Sequence, residues 1–188
     1  MNEIVRIPGL LSPDTCKQLI DSSEASGYSE ARIYTAMGAV TKKNRRNNSR
    51  LEWRDTALAN NLWNRLVGVG MTAALDGSGG YSPHRLSETF KFYRYTPGQY
   101  FGWHRDGSLA RGMTEKSFYT LLFYLNDNFE GGTTDITDRT GSVQIVKPLT
   151  GTAVAFEHHL WHQGAPVTSG VKYLLRTDVL FKRKGLYD

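Results

Sequence analysis

A chain of 188 residues with 39% apolar and 22% charged positions is long enough to bury a full core and fits one soluble globular domain, residues 1–188. Its only cysteine, Cys16, excludes an intrachain disulfide framework and suits a reducing compartment. The net charge of +5 permits acidic partners without pointing to one, and no stretch approaches the roughly 18 apolar residues of a membrane span.

The opening "MNEIVRIPGLLSPD" lacks the long apolar run of a signal peptide, so a cytoplasmic protein is expected, with no membrane partner. "LLSPDTCKQLIDSSE" carries helix-start signals: Ser12 as N-cap, Pro13 at the first helical position and Asp14 in the first turn. Residues 27–50 are polar and basic, with strand pieces expected around Ile33 and Val40. Within them "TKKNRRNNSRLEW" (41–53) reads either as a solvated basic loop or as a lid that presents charge to a substrate. If the segment is extended, Arg46, Asn48 and Arg50 share a face, which would suit a carboxylated small molecule or an acidic peptide. "DTALANNLWNRLVGV" predicts a second helix, with Leu58, Leu62, Trp63 and Leu66 at helical spacing. "LDGSGGYSPHR" reads as a loop from its glycines, serines and proline, with His84 solvated.

From residue 88 the character changes. "TFKFYRY", "FYTLLFYLND", "GSVQIV", "GTAVAFE" and "VKYLLRTDVLF" are rich in aromatic and β-branched residues and are separated by turn residues. The expected class is α+β, mainly β: an N-terminal helical support (1–87) packed on a β core (88–183) that forms a sandwich or barrel.

The chemistry centres on His104 and Asp106 in "YRYTPGQYFGWHRDG". On a strand, residues two apart point the same way, so both side chains face one ion. A third ligand must come from elsewhere, and His158, His159 and His162 follow the "GTAVAFE" strand. Two histidines, one carboxylate and open positions form the facial triad of non-haem Fe(II) oxygenases. Adjacent His158 and His159 should face opposite ways, one packed and one solvated. Phe92, Tyr100, Phe101, Phe118 and Phe123 read as core. Trp103 and Trp161, each preceding a candidate ligand, read as packing around the site or as ordinary core. "DGSLARGMTEKS" (106–117) is a second candidate lid with glycine hinges.

The blocks "FYRYTPGQYFGWHRDG", "FYTLLFYLNDNFEGGTT", "GTAVAFEH" and "HQGAPVTSGVKYLLRTDVLF" resemble, in order and spacing, the 2-oxoglutarate/Fe(II)-dependent dioxygenases, and within them the prolyl 4-hydroxylase-like catalytic domain. The resemblance covers about residues 88–181. It implies a double-stranded β-helix (jelly-roll) core and makes His104, Asp106 and His162 the iron ligands. It makes Lys172, ten residues after His162, the cation for the far carboxylate of 2-oxoglutarate. Tyr95 and Tyr124 then face the cosubstrate, and Glu130–Gly132 form the turn after the Tyr124 strand. Arg176 shares a strand face with Lys172, Leu174 and Asp178 and is a rival for that carboxylate, or a partner for Asp178. The implied cofactors are Fe(II), 2-oxoglutarate and O2, with ascorbate in a supporting role. The implied reaction is hydroxylation of an unactivated C–H bond, with release of succinate and CO2; Asp106 stands where halogenases have a small residue. Two other readings compete: a nucleic-acid demethylase of the same superfamily, disfavoured because "KYLLRTDVLF" lacks an arginine-rich pattern, and a non-catalytic cupin-like binding module, disfavoured by the intact triad and Lys172. The oligomeric state is open.

Overall fold

The computed structural model describes residues 4–30, 33–35, 38–40, 45–75, 77 and 79–183. Lys42 and Lys43 of the basic run lie outside them. The first helix, α1, runs Pro13–Ser26. The Ser12 hydroxyl accepts from the Thr15 N–H, and the helix ends at Gly27, whose φ of +81° a residue with a Cβ rarely adopts. The second, α2, runs Thr56–Gly68, with the Asp55 carboxylate accepting from the Leu58 N–H at 2.8 Å. Its buried face is Ala59, Leu62 and Leu66.

Two antiparallel sheets form the body. The larger has nine strands, with the path Ile4–Ile7, Ala153–Glu157, Glu115–Tyr124, Lys172–Arg183, Thr89–Tyr95, Ser49–Arg54 and Ser29–Glu30. Tyr81–Leu86 and Ala110–Arg111 pair off that path. The smaller has four strands in the order Val143–Val146, Thr134–Thr137, His162–Gly164 and Phe101–His104. Ile33–Thr35 and Gly38–Val40 pair as a short hairpin where strand pieces were expected. Residues before 88 thus supply strands to the major sheet as well as both helices.

The period of two sorts side chains on the major sheet. Phe90, Phe92, Leu121, Phe123, Leu175, Val179 and Phe181 join Cys16, Leu62 and Leu66 in one buried cluster on the helix side. Tyr93, Tyr95, Leu122, Tyr124 and Leu174 join Ile136 and Val146 of the small sheet in a second. The space between the sheets is therefore walled by alternate residues of three neighbouring strands.

Tyr81–Leu86 corrects the loop expected over "LDGSGGYSPHR". It is a strand that pairs with Lys172–Arg183 alone, with a register shift at Pro83. An off-path strand has one side unpaired, so a proline without an N–H is tolerated there. His84 is exposed on it. Behind it, Arg54, Arg85 and Arg111 converge on Glu88 at 2.7, 3.2 and 2.9 Å. Hydrogen bonds from Arg111 and Arg54 outweigh burial and bring the Glu88 carboxyl down to about 2.

Candidate active site

The pairing register brings the two distant histidines together. His162 and His104 are directly opposed partners on neighbouring antiparallel strands, the closest cross-strand relation a sheet offers. The Phe101–His104 strand ends before Asp106, contrary to the expectation of one strand carrying both. Asp106 is held instead by its own N–H, donated to the His158 carbonyl at 3.1 Å. One donor atom each from His104, Asp106 and His162 lies within 4.8 Å of the others, the arrangement that can hold a metal ion. His162 Nε2 is 3.4 Å from the Asp106 carboxylate and His104 Nε2 is 3.8 Å from it.

The donor set fits a divalent metal. His104 Nδ1 lies 2.8 Å from the Gly102 carbonyl and His162 Nδ1 lies 3.1 Å from the Leu160 carbonyl. A carbonyl only accepts, so each Nδ1 carries the proton and each Nε2 presents its lone pair to the centre. Burial, with the neighbouring His162, brings His104 down to about 3. It is therefore a neutral imidazole at physiological pH. Burial pushes the Asp106 carboxyl up, but Arg176 and the two imidazoles outweigh it and hold it well below the usual carboxylate range.

A relay fixes Asp106. The Thr120 hydroxyl donates to Asp106 Oδ2 and lies 3.0 Å from His158 Nδ1. His158 Nε2 lies 2.8 Å from Ser117 Oγ. Thr120 has one proton to give, so it accepts from His158, which in turn accepts from Ser117. Arg176 Nη2 reaches Asp106 Oδ2 at 3.1 Å and Asp178 at 3.0 Å.

The inner chamber beside this centre is lined by Tyr95, Thr134, Lys172, Leu174 and Arg176 among others. Lys172 is 1% exposed. Its ammonium donates to the Gly132 carbonyl at 2.6 Å, and burial, opposed only by Asp135, pulls its pKa down to about 7. The Glu130–Gly132 turn thus seats the lysine. Gly132 has φ +59°, and a Cβ there would meet the rings and shafts of Phe129, Val167 and Lys172 at 2.9–3.2 Å. Tyr124 is buried but not among the lining residues; its hydroxyl donates to Thr134, which is.

An outer chamber adjoins and shares Tyr93, Phe101, His104, Asp106 and Arg176 with the inner one. Arg45, Arg46, Arg50, Lys91 and Arg105 line it. Arg46 and Arg50 both line it, whereas Asn48, expected on the same face, is not among the lining residues. Asn48 sits behind them, its amide oxygen accepting from Arg46 Nε at 2.6 Å. The 106–117 segment is a hairpin rather than an open flap: Ala110–Arg111 pairs with Glu115–Lys116, and Ser117 exchanges backbone and side-chain bonds with Ser108 and Leu109.

Phe101 departs from its core assignment: it lines both chambers and stacks on His104 with ring centres 3.6 Å apart. Trp103 and Trp161 are surface residues, 38% and 43% exposed; Arg105 lies over the Trp161 ring. His158 is buried and His159 exposed, the split expected of adjacent residues. Thr120 and Thr134 went unread in the sequence, since only cross-strand neighbours tie them to the site; Arg105, between two candidate ligands, carries no sign of its own there, and His158 figures only as a rival for the third ligand or as a packed or solvated residue.

A barrel of two antiparallel sheets enclosing two histidines and a carboxylate defines the jelly-roll metal-dependent oxygenase class. The profile of the 2OG-Fe(II) oxygenase superfamily matches residues 90–177. The PKHD-type hydroxylase YbiX of Escherichia coli is 30% identical over 178 residues, spanning 88% of this chain and 73% of that protein. A Pseudomonas putida prolyl-4-hydroxylase superposes with TM-score 0.69 at 16% identity, over 98% of this chain and 95% of that one. A Trichoplax adhaerens prolyl hydroxylase, solved with a hypoxia inducible factor peptide fragment, gives 0.72 at 16% identity over 95% and 84%. The chain belongs to the 2OG-Fe(II) oxygenase superfamily. It is a hydroxylase that uses Fe(II), 2-oxoglutarate and O2, built on the fold of the prolyl hydroxylases. Among the described residues no helix is long and apolar enough to cross a membrane.

Proposed function

We propose that residues 1–188 act as one catalytic domain in which His104, Asp106 and His162 hold the Fe(II) and Lys172 grips the far carboxylate of 2-oxoglutarate. The substrate is an amino acid, a peptidyl residue or another small polar molecule, hydroxylated at an unactivated C–H bond with release of succinate and CO2. The observation that carries this reading is the convergence of the three donors beside a chamber that is also lined by a buried lysine, whose ammonium donates to a backbone carbonyl.

Iron supplies dioxygen activation and electron transfer when bound. The chain's own residues hold, orient and exclude. Gly102 and Leu160 fix the histidine rings, and Thr120 with Arg176 fixes the carboxylate rotamer. A five-carbon dianion needs a cation away from the metal, and Lys172 occupies that end among Tyr95, Leu174 and Thr134. Arg176 is engaged by two aspartates, so its part is to hold Asp106 rather than anchor the cosubstrate. Tyr124 acts through Thr134, and Tyr95 walls the lysine, whose ammonium lies 5.4 Å from its ring centre. The peptide named with the Trichoplax neighbour supports a peptidyl substrate.

The test is a succinate-release screen of the Fe(II)-loaded enzyme against free amino acids, proline-containing peptides and methylated oligonucleotides. Stimulation by either of the first two is expected. Stimulation by oligonucleotides alone would favour the demethylase reading, and absence of 2-oxoglutarate turnover in every condition the non-catalytic one.

A further inference from the structure

The outer chamber is the strongest unassigned feature of the molecule. Among the described residues its wall carries Arg45, Arg46, Arg50, Lys91 and Arg105, with Arg50 also 3.5 Å from Glu52, and the acidic lining residue is Asp106, already engaged by Thr120 and Arg176. Basic loops are usually solvated, so charge alone decides nothing. Arg46 differs: it is 5% exposed, and its guanidinium carbon lies 4.2 Å from the Phe101 ring centre and 4.6 Å from that of Tyr93. Asn48 holds Nε at 2.6 Å, which fixes the plane of the group. Nη2 is buried with no hydrogen-bond partner among the described residues. An ionised donor left unmatched in a desolvated setting is costly, and the chain bears this at the mouth of a site.

The backbone explains how the arginine is kept there. Arg46 bridges Phe101, Gly102 donates to the Arg45 carbonyl at 2.8 Å, and Asn47 donates to the Tyr100 carbonyl at 3.3 Å. The Asn47 side chain in turn accepts from the Tyr100 N–H at 2.8 Å. The segment is thus laced along the strand that ends in His104. Through Phe101, stacked on His104, the guanidinium sits two ring contacts from the candidate metal.

We propose that the outer chamber is an anion subsite, and that the substrate carries an oxyanion, carboxylate or phosphoryl, taken end-on by the Nη edge of Arg46. Arg50, Lys91 and Arg105 complete the positive rim, and Asn48 is a positioning residue. This rests on the iron and 2-oxoglutarate assignments above. It narrows the substrate from small polar molecules to anionic ones, oriented by the charged end while a C–H bond elsewhere faces the metal.

The experiment uses sulfate as probe, titrated calorimetrically under anaerobic conditions into protein saturated with Fe(II) and 2-oxoglutarate, so that Lys172 is already occupied. Sulfate should bind the wild type, and Arg46→Gln should weaken it about tenfold or more, the loss of a charge-assisted hydrogen bond. Asn48→Leu should weaken it less, and Arg46→Lys should fall between. The visible absorption band of the iron–2-oxoglutarate complex should stay in place in all three, which a general collapse around Phe101 would not allow. If Arg46→Gln does not fold, Arg46→Lys carries the test, and unchanged sulfate affinity in it overturns the proposal. Absence of sulfate binding to the wild type, or equal binding to Arg46→Gln, overturns it too. Absence of the absorption band in the wild type overturns the iron and 2-oxoglutarate reading instead. Paired acids and amides, and phosphate esters with their parent alcohols, distinguish the two oxyanions by stimulated succinate release. Equal stimulation by the neutral member of a pair counts against the subsite.

Discussion

Replacing Lys172 with methionine separates two consequences of burying an ammonium. The group is 1% exposed, and its bond to Gly132 is to a neutral carbonyl. Burial moves its pKa from 10.5 to about 7, which at about 1.4 kcal/mol per pH unit corresponds to a folding cost of roughly 4–5 kcal/mol. The folded pKa lies below the unfolded one, so the unfolded chain binds more protons between pH 7 and 10.5. The cost is therefore full below about pH 7 and is relieved as pH rises towards 10.5. Lys172→Met, close in length and uncharged, should raise stability in denaturant titrations at pH 6 by a few kcal/mol, less the roughly 1 kcal/mol of the lost hydrogen bond. That gain should shrink by pH 9. The same variant should lose 2-oxoglutarate. An unpaired carboxylate in that chamber costs about 3–5 kcal/mol, hence on the order of a hundredfold or more in Kd, read from the absorption band in an anaerobic Fe(II) titration. A variant less stable than wild type at pH 6 that still binds 2-oxoglutarate within about threefold would refute the reasoning and return Lys172 to a structural role.

Three further outcomes are expected. His162→Ala should abolish the iron–2-oxoglutarate band and His159→Ala should leave it, since His159 is exposed; the opposite result in equilibrium metal binding would displace His162 from the triad. Arg176→Gln should impair Asp106 more than the cosubstrate, seen as a larger loss of iron affinity than of 2-oxoglutarate affinity in the metal-saturated enzyme; a cosubstrate loss exceeding that of Lys172→Ala would move the anchor four residues along the strand. Glu88, brought down to about 2 by its arginines, contributes stability that is present above its unfolded pKa and is lost as pH falls from about 4.5 towards 2; Glu88→Gln should flatten that part of the acid unfolding curve, and an unchanged curve would show that the arginine cluster contributes nothing.

What the sequence disclosed was what local spacing encodes. The two-residue step from His104 to Asp106, the ten-residue step from His162 to Lys172 and the alternation from Arg46 to Arg50 are short separations along the chain, which the sequence displays directly even where the strand ends between the two residues. The cap at Ser12 is likewise local. The opposition of His104 and His162 depends on register between strands 58 residues apart in the chain, and only the block resemblance pointed to it. Thr120 and His158 reach the site across strands, so their sequence neighbours carry no sign of it, whereas Phe101 shares the His104 strand and its stacking on that ring is set by the fold. The Tyr81–Leu86 strand was masked by Pro83, whose missing N–H costs nothing on a strand with one unpaired side. The tryptophans beside the candidate ligands are at the surface because the ligands face in and their neighbours must face out.

The pairing of Arg176 with Asp106 and Asp178 sets the sign of the potential inside the barrel. Before loading, Asp106 and Asp178 set two negative charges against the single positive charge of Arg176, and Lys172, brought down to about 7, is only partly protonated, so the cluster around Arg176 is slightly negative and attracts a cation rather than a dianion. A divalent ion reverses that sign. The dianionic cosubstrate then cancels it, provided Lys172 gains its proton, and the interior comes to rest without net charge. In the proposed site electrostatics therefore favours one sequence of arrivals, metal first and 2-oxoglutarate second. The rim around Arg46 keeps its positive field throughout, since nothing admitted to the inner chamber neutralises it, and a third, anionic arrival remains attracted after the other two are seated.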